Sequence, residues 1–342
     1  MGIEVFYLVS YLIVHLFLFY TFKRTHRFYV TSILFLVVLY SFSPKWAFFK
    51  LFLIILDMRK KQKAVNVIIC FFPILYYFFS LKEFNYSLGI LTVDLNLYLC
   101  TVITFNRINE LFLSEKREGL INSLQKNAFF PTFFAPIITP VKLYNEDLSL
   151  NPENLFFGLK KIGFSLFLLL CIFQQGSLFY TQVTNTFFEK VMLGALFFIF
   201  IYSLSFFARG ACLVSGVSIY RNMYVPFGAN SISGFFSRWS ASFSSFLHLI
   251  IARYKIANSR VMLFFLTVIL NTLFFYSFGK NFWGPTLIFL TGSLFLFPVI
   301  KYDLYKSLRR NLLLRYLYKI LFFCLIFFSF GFSLKTNPFF TD

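Results

Sequence analysis

Runs of apolar residues, each about as long as a membrane-spanning helix, fill most of this chain and constrain its fold more than any motif does. Residues 3–22, 156–173, 191–208 and 320–334 are examples, and a helix needs roughly 20 such residues to cross a bilayer. Charged residues make up only 13% of the chain, whereas soluble domains contain about 25%. The sequence therefore predicts an all-α fold, a polytopic transmembrane helix bundle.

Basic residues give the chain a net charge of +19, and most of them fall in clusters between the apolar runs. The clusters contain Lys23, Arg24, Arg27, Arg59, Lys60, Lys61, Lys63, Lys116, Arg117, Lys126, Arg253, Lys255, Arg260, Lys301, Lys306, Arg309, Arg310, Arg315 and Lys319. An excess of Lys and Arg is typical of cytoplasmic loops in membrane proteins. We therefore predict a multi-pass protein of the cell (inner, cytoplasmic) membrane, with its basic face in the cytoplasm and no nucleic-acid partner.

A topology follows when the basic clusters are placed in the cytoplasm. The expected spans are residues 3–22, 64–81, 88–105, 156–173, 191–208, 261–278, 283–300 and 320–334. Residues 28–57 are divided by Ser43-Pro44-Lys45 into two short halves, which predicts a kinked or re-entrant pair that also contains Lys50. The total is roughly 9–11 spanning or re-entrant helices, and both chain termini are expected outside.

Three stretches do not fit simple spans. Residues 107–126 are amphipathic, which indicates a helix lying on the cytoplasmic surface. Residues 129–140 hold three prolines among apolar residues, which predicts a non-helical or broken re-entrant element, because proline interrupts a helix. Residues 210–251 are apolar but interrupted by polar side chains. We expect these stretches to form the functional part, with residues 129–140 packed near Arg238 and Trp239.

Residues 202–251 resemble the core of the membrane-bound O-acyltransferase family. The matching positions are Asn222, Pro226-Phe227, Ser231-Ile232, Phe235-Phe236 and Arg238-Trp239. They correspond to the family segments N-F-x-x-P-F/Y, S-I-x-x-F-W and R-W. The nearest branch is the bacterial one that contains alginate O-acetylases and the D-alanyl transfer protein of teichoic acids. The resemblance implies that Asn222, Pro226, Arg238 and Trp239 are substrate-binding or core signature residues.

Two weaker matches lie upstream in the same order as in the family. Residues Ser87-Leu88-Gly89-Ile90 resemble P-L-G-I-S, and the segment containing Pro131 and Pro136 resembles F-P-x-x-x-A-G-P-I. The resemblance then implies one membrane domain, residues 1–342. Residues 85–300 are its acyltransferase-like core, residues 1–84 are N-terminal helices, and residues 301–342 are a basic segment with a C-terminal helix.

The sequence departs from the family where catalysis is expected. The family transfers an acyl group to a hydroxyl, and a histidine base suits that reaction. Its two histidine positions are occupied here by Ser240 and Phe275, and residues 249–342 contain no His. The resemblance therefore implies no catalytic residue in the family positions, with His248 as a weak alternative base.

Other candidate chemistry is sparse. His15 lies in the first apolar run and is interpreted as a satisfied core histidine, while His26 lies in a basic loop. The five cysteines are scattered singly within apolar runs, so their spacing predicts no metal site. We expect neither a metal nor a cofactor.

Two functional hypotheses remain. The first is a non-catalytic scaffold, complex subunit or lipid/acyl-chain binder, with membrane lipids and other membrane or envelope proteins as partners. The alternative is an active O-acyltransferase that modifies an envelope glycan or lipid with a base outside the family positions. The missing histidines favour the first. A transporter is a distant third, because no matched pair of broken helices appears in corresponding halves of the chain.

Overall fold

The structure is a computed structural model in which the chain divides into two compact units. It describes residues 2–22, 24–58, 72–73, 75–76, 86–88, 91–93, 100–101, 103–104, 120–128, 152–180, 182–183, 185–217, 219, 223–226, 235, 238–239, 241, 262, 311–333 and 335–336. Unit 1 comprises Met1–Glu83, Leu99–Phe167 and Ser203–Arg221. Unit 2 comprises Phe84–Tyr98, Leu168–Tyr202 and Asn222–Asp342.

Helices dominate the described part of the chain, as the sequence predicts. They are α1 (Gly2–Thr21), α2 (Arg24–Phe42), α3 (Pro44–Met58), α4 (Leu120–Ala128), α5 (Pro152–Tyr180), α6 (Thr186–Val214) and α7 (Leu312–Ser333). Three of them, α5, α6 and α7, are long and apolar enough to cross a membrane. The expected spans 156–173 and 191–208 lie within α5 and α6, and nearly all of 320–334 lies within α7.

The break between α2 and α3 occurs where the sequence places it. Helix α2 ends at Phe42, and Pro44 is the first residue of α3. Proline suits that position, because the first helical N–H has no partner within the helix. The buried Ser43 connects the two helices: its N–H donates to the Leu39 carbonyl at 2.7 Å, and its carbonyl accepts from the Ala47 N–H at 3.1 Å.

Unit 1 contains the packed group of α2, α3 and α4. Helix α4 lies at the end of the amphipathic stretch 107–126, but its buried face includes the polar side chains of Ser123 and Asn127. A helix lying on the membrane surface would turn such side chains toward water and headgroups. Helix α4 therefore packs against α2 and α3 through a mixed set of side chains that also includes Leu124 and Ala128, and the placement of residues 107–126 on the cytoplasmic surface stays a prediction.

Capping side chains and a glycine mark the ends of the long helices. Helix α6 begins after Asn185, whose Oδ1 accepts from the Phe187 N–H at 3.0 Å, and Asn311 caps α7 in the same way. At the end of α6, Gly216 has a φ of 71°. The Val217 N–H donates to the Cys212 carbonyl at 2.9 Å. This left-handed turn is a Schellman motif, which glycine favours.

Helices α5 and α6 approach closely within unit 1. The Ser165 Oγ donates to the Ser203 carbonyl at 2.8 Å, and the Ser203 Oγ donates to the Ser165 carbonyl at 2.7 Å. Gly158 and Gly210 also face each other across this contact. Small residues allow two helix backbones to meet, and reciprocal hydroxyl hydrogen bonds join helices where no water is present.

Unit 2 contains a second close helix contact, between α6 and α7. A Cβ atom added at Gly194 would overlap the Phe327 carbonyl and lie 2.9 Å from the Gly331 nitrogen. A Cβ added at Gly331 would overlap the Lys190 carbonyl. Nearby, the Phe187 and Phe328 rings stack with centroids 5.1 Å apart. Glycine at both crossing points lets the two backbones touch.

A small antiparallel sheet in unit 2 corrects part of the expected topology. Strand β1 (Tyr86–Leu88) pairs with β2 (Leu91–Val93), and β2 pairs with β3 (Lys335–Thr336). The expected span 88–105 therefore does not begin as a helix. These few residues are hydrogen-bonded between strands instead of along a helix, and the rest of the regular structure in the described part of the chain is helical, as the all-α class predicts.

Several sequence predictions fall outside the described residues. The proline-rich element 129–140 is one, and the expected span 283–300 is another. Of residues 64–81 and 261–278, the structure describes only 72–73, 75–76 and Met262, which are helical.

Candidate functional site

Three of the predicted signature residues belong to the described part of the chain, and they lie in unit 2. These are Pro226, Arg238 and Trp239. The remaining predicted residues, Asn222, Pro131, Pro136, Ser240, Phe275 and His248, lie outside the described residues. The local geometry is therefore built from Arg238, Trp239 and the segment that contains Pro226.

Trp239 is the centre of an aromatic cluster formed with α6 and α7. Its side chain is only 2% exposed. The ring centroid of Phe198 on α6 is 4.3 Å away, and that of Phe330 on α7 is 5.6 Å away. Phe235 stacks at 6.1 Å and also contacts Phe322 of α7 edge-on at 5.5 Å. Trp239 therefore fills the space between two helices that are long and apolar enough to span a membrane.

The backbone on either side of Arg238 links two parts of the predicted signature. The Tyr224 N–H donates to the Arg238 carbonyl at 3.0 Å, and the Trp239 N–H donates to the Phe235 carbonyl at 2.8 Å. The structure thus brings the segment before Pro226 against the Arg-Trp pair. Pro226 itself is buried, and the side chain of Arg238 is half-buried.

Val225 carries backbone strain within this segment. Its φ is 48°, in the left-handed region that a β-branched residue rarely adopts. Such a conformation costs of order 1–3 kcal/mol and persists only where the surrounding structure enforces it. On either side of Val225 lie Tyr224, whose N–H is hydrogen-bonded to the Arg238 carbonyl, and the buried Pro226.

This cluster can bind and position but offers little acid–base chemistry among the described side chains. The phenylalanine rings that pack on Trp239 cannot take or give a proton. The guanidinium of Arg238 offers hydrogen-bond donors and no acceptor. A group such as Arg238 can therefore hold an anionic or carbonyl oxygen without acting as a base.

Two of the three histidines are described, and both lie in unit 1. His15 is fully buried in α1, where its ring stacks on Phe19 at 5.9 Å and tilts toward Tyr11 at 6.4 Å. His26 is exposed in the first turn of α2. Among the described residues, no three His, Cys, Asp or Glu side chains gather as a metal site would require.

Sequence reasoning assigned no role to the buried polar side chains of α2, α3 and α4. They are Thr31, Ser32, Lys50, Ser123 and Asn127. Lys50 is the charged member and is only 6% exposed. The sequence did mark Lys50 as unusual, because it interrupts the apolar residues of α3. What the sequence did not reveal is that this lysine is buried within the chain.

Hydrogen bonds tie part of this polar group together. The Ser123 Oγ donates to the Ile54 carbonyl at 3.4 Å, across the contact between α4 and α3. The Asn127 Nδ2 donates to the Ser123 carbonyl at 2.9 Å and lies 3.3 Å from its Oγ. Ile54 is one helical turn beyond Lys50, so these donors and acceptors lie on the side of α3 that carries the lysine.

Comparison with known proteins supports no family assignment. No protein-family model matches the chain, and no curated protein sequence matches it significantly.

Proposed function

We propose that the protein is a non-catalytic membrane component of the membrane-bound O-acyltransferase type, acting as a scaffold, complex subunit or lipid/acyl-chain binder. The observation that carries the proposal is the position of Trp239. The family signature Arg238-Trp239 is kept in the sequence, and Trp239 is used here as a buried packing residue between α6 and α7.

The packing of Trp239 supports a structural role for the retained signature. Tryptophan offers the largest apolar surface of any side chain, and its burial stabilises a core strongly. Phenylalanine side chains surround the indole ring, so the cluster supplies contact area without a proton acceptor. Ser240 and Phe275 in the family histidine positions agree with this proposal, because neither side chain is an effective general base.

The expected location is the cell membrane, with the basic loops in the cytoplasm. The exposed side chains of α5 and α7 support membrane insertion, since Phe156, Phe179, Leu313 and Ile320 are each more than half exposed. Apolar faces of this size need lipid or protein cover. The partners proposed are therefore membrane lipids and other membrane or envelope proteins.

The test separates loss of reaction from loss of structure. A deletion strain is complemented with the wild-type protein, with Trp239→Ala or with His248→Ala, and incorporation of labelled acyl groups into envelope material is measured beside protein abundance. We expect no acyl incorporation that depends on this protein. We also expect reduced abundance or assembly for Trp239→Ala and normal abundance for His248→Ala.

One outcome would reverse the proposal in favour of the enzyme hypothesis. If the wild type restores acyl incorporation and His248→Ala abolishes it at unchanged abundance, the protein is an O-acyltransferase with His248 as its base. A Trp239→Phe variant is the matched control for the structural role, because it keeps an aromatic ring in the cluster while removing the indole.

A further inference from the structure

The last turns of α5, within unit 2, have one side that packs against α6. The ring of Phe173 is fully buried and lies 5.7 Å from a phenylalanine ring of α6. A Cβ atom added at Gly176 would lie 2.5 Å from the Cδ2 of Leu196. One turn further on, the Tyr180 hydroxyl donates to the Glu189 Oε1 at 2.7 Å. These contacts recur every three or four residues, so they define the inner face of the helix.

The opposite side of α5 carries two adjacent glutamines. Gln174 and Gln175 are both exposed. Cys171, one turn before them, is exposed as well, and Leu178 and Phe179, one turn after them, are 59% and 60% exposed. Residues at this spacing lie along one side of a helix. We call these five residues the outer stripe; it combines two amides with a thiol and two apolar side chains.

The glutamines of the outer stripe lie at a depth where lipid chains are expected. Residues 162–188 contain no charged side chain, and α5 is long and apolar enough to cross a membrane. The helix continues past the expected span 156–173 to Tyr180. The stretch from Lys161 to Tyr180 is about as long as a span requires, roughly 20 residues. Both amides fall inside it, with the exposed Leu178 and Phe179 beyond them.

The winding of α5 changes immediately before the glutamines. Leu168–Phe173 are wound as a π-helix, and α-helical winding resumes at Gln174. A π-helical turn inside an α-helix is rare and frequently lies at a functional position. The change of winding also sets how the following residues are rotated about the helix axis. The π-helix is therefore a second feature that singles out this part of α5.

The chemistry of an exposed amide at this depth selects the kind of occupant. Lipid chains offer no hydrogen bonds, so a polar group exposed to them is destabilising unless another group pairs with it. Glutamine side chains join helices within membranes for this reason. An amide has both donors and an acceptor, so two identical amides satisfy each other. Two-fold symmetry brings the same patch of two copies together, whereas a charged partner would find no opposite charge on the outer stripe.

We propose that the outer stripe of α5 is the contact between two copies of this chain in the membrane. Gln174 and Gln175 form hydrogen bonds with the same side chains of the second copy, and Leu178 and Phe179 pack beside them. The inference does not depend on the proposed scaffold role or on the likeness to acyltransferases, because an active enzyme could form the same dimer.

The experiment uses the full-length protein, labelled with one fluorophore per chain and reconstituted into phosphatidylcholine liposomes over a series of protein-to-lipid ratios. Single-molecule photobleaching counts the copies in each complex. We expect the wild type to pass from monomer to dimer as its density in the membrane rises. In the double variant Gln174→Met/Gln175→Met the dissociation constant of the dimer should rise about tenfold or more, as for the loss of two hydrogen bonds between helices.

Gln182→Met is the matched control, because Gln182 is exposed in the loop after α5. It should associate like the wild type. The double variant Gln174→Asn/Gln175→Asn keeps the amides and should retain more of the association than the methionine variant does. Cys171 reports the geometry: when it is the only cysteine in the chain, a short bismaleimide should crosslink two copies, and the methionine double variant should reduce the yield.

The thermal unfolding midpoint of the detergent-solubilised methionine double variant should be unchanged or higher, because its altered side chains face outward. Failure to fold, or a clear fall of the midpoint, would show that the amides support the fold of the single chain, and it would overturn the proposal. A wild type that stays monomeric at every density would assign the outer stripe to a different partner. Equal weakening of the dimer by Gln182→Met, or no weakening by the methionine double variant, would also contradict the proposed contact.

Discussion

Gly158 and Gly163 provide a paired test of the helix contact in unit 1. Both glycines lie in α5, but only Gly158 faces α6. A Cβ atom added at Gly158 would lie 2.8 Å from the Gly210 carbonyl oxygen and 2.5 Å from the Cγ2 of Val214. The same atom added at Gly163 would have nothing within 4 Å. Gly→Ala should therefore have opposite effects at these two positions.

The magnitudes follow from the geometry at each glycine. An ordinary Cβ contact begins at 3.4 Å, so Gly158→Ala must move the two helices apart by about 0.6 Å at a backbone contact. Overpacking of this kind costs about 1–3 kcal/mol, and the better helix propensity of alanine returns only about 1 kcal/mol of that. At Gly163 only the propensity acts, and Gly163→Ala should stabilise the protein by about 0.5–1 kcal/mol.

Thermal unfolding of the detergent-solubilised protein at one fixed scan rate measures both variants against the wild type. A fixed rate matters because unfolding midpoints of membrane proteins often depend on the rate of heating. We expect the midpoint of Gly158→Ala to fall and that of Gly163→Ala to rise. Equal shifts of the same sign in both variants would refute the close contact between α5 and α6 at Gly158.

Three further predictions address other contacts. Ser165→Ala should destabilise the protein by about 0.6–1.7 kcal/mol, because it removes the hydrogen bond from the Ser165 Oγ to the Ser203 carbonyl. Chemical denaturation in mixed micelles measures this, and an unchanged midpoint contradicts it. Trp239→Ala should lower the free energy of unfolding by about 3–5 kcal/mol, because it leaves a cavity among the aromatic rings. A large fall in the unfolding midpoint is the expected measurement, and a loss of stability below about 1 kcal/mol would show that the ring is not a core residue. The topology can be tested with single cysteines introduced into a variant from which the five native cysteines have been removed. A thiol reagent that cannot cross the membrane should label Lys280→Cys from outside but not Arg309→Cys, because basic clusters stay in the cytoplasm. The reverse labelling pattern would exclude the proposed orientation.

The sequence was sufficient to predict the helices that depend on local properties. Apolar runs predicted α5, α6 and α7, because a bilayer requires a minimum length of apolar helix with its backbone hydrogen bonds satisfied internally. Ser43-Pro44 predicted the break between α2 and α3, because proline favours the first position of a helix and disfavours its interior. Each of these features depends on residues that are neighbours along the chain.

The short sheet illustrates what local properties could not predict. Leu91 of β2 pairs with Thr336 of β3, although the two residues lie far apart along the chain. The residues around β2 are apolar, and a short apolar segment is compatible with either a strand or part of a helix. Strand β1 provides backbone partners along one edge of β2 and is its neighbour in sequence, whereas β3 provides those along the other edge only through the tertiary fold.

The candidate site residues likewise differ in how much the sequence could predict about them. The Arg238-Trp239 pair was identified from sequence, but its placement between Phe198 and Phe330 required the folded structure. Lys50 received no role from sequence, because its chemistry depends on the side chains that α4 brings to the same side of α3. A pattern along one helix reveals its faces, but it does not reveal which neighbour each face meets.

Identical residues in one helix show the boundary between sequence and tertiary structure most directly. Lys45 and Lys50 both belong to α3, and only Lys50 is buried; Gly158 and Gly163 both belong to α5, and only Gly158 touches another backbone. The sequence alone determined that these residues lie in helices. Their different roles were decided by tertiary packing, because a five-residue step turns a helix by about 140°, so that one residue of each pair faces a neighbouring helix and the other faces outward.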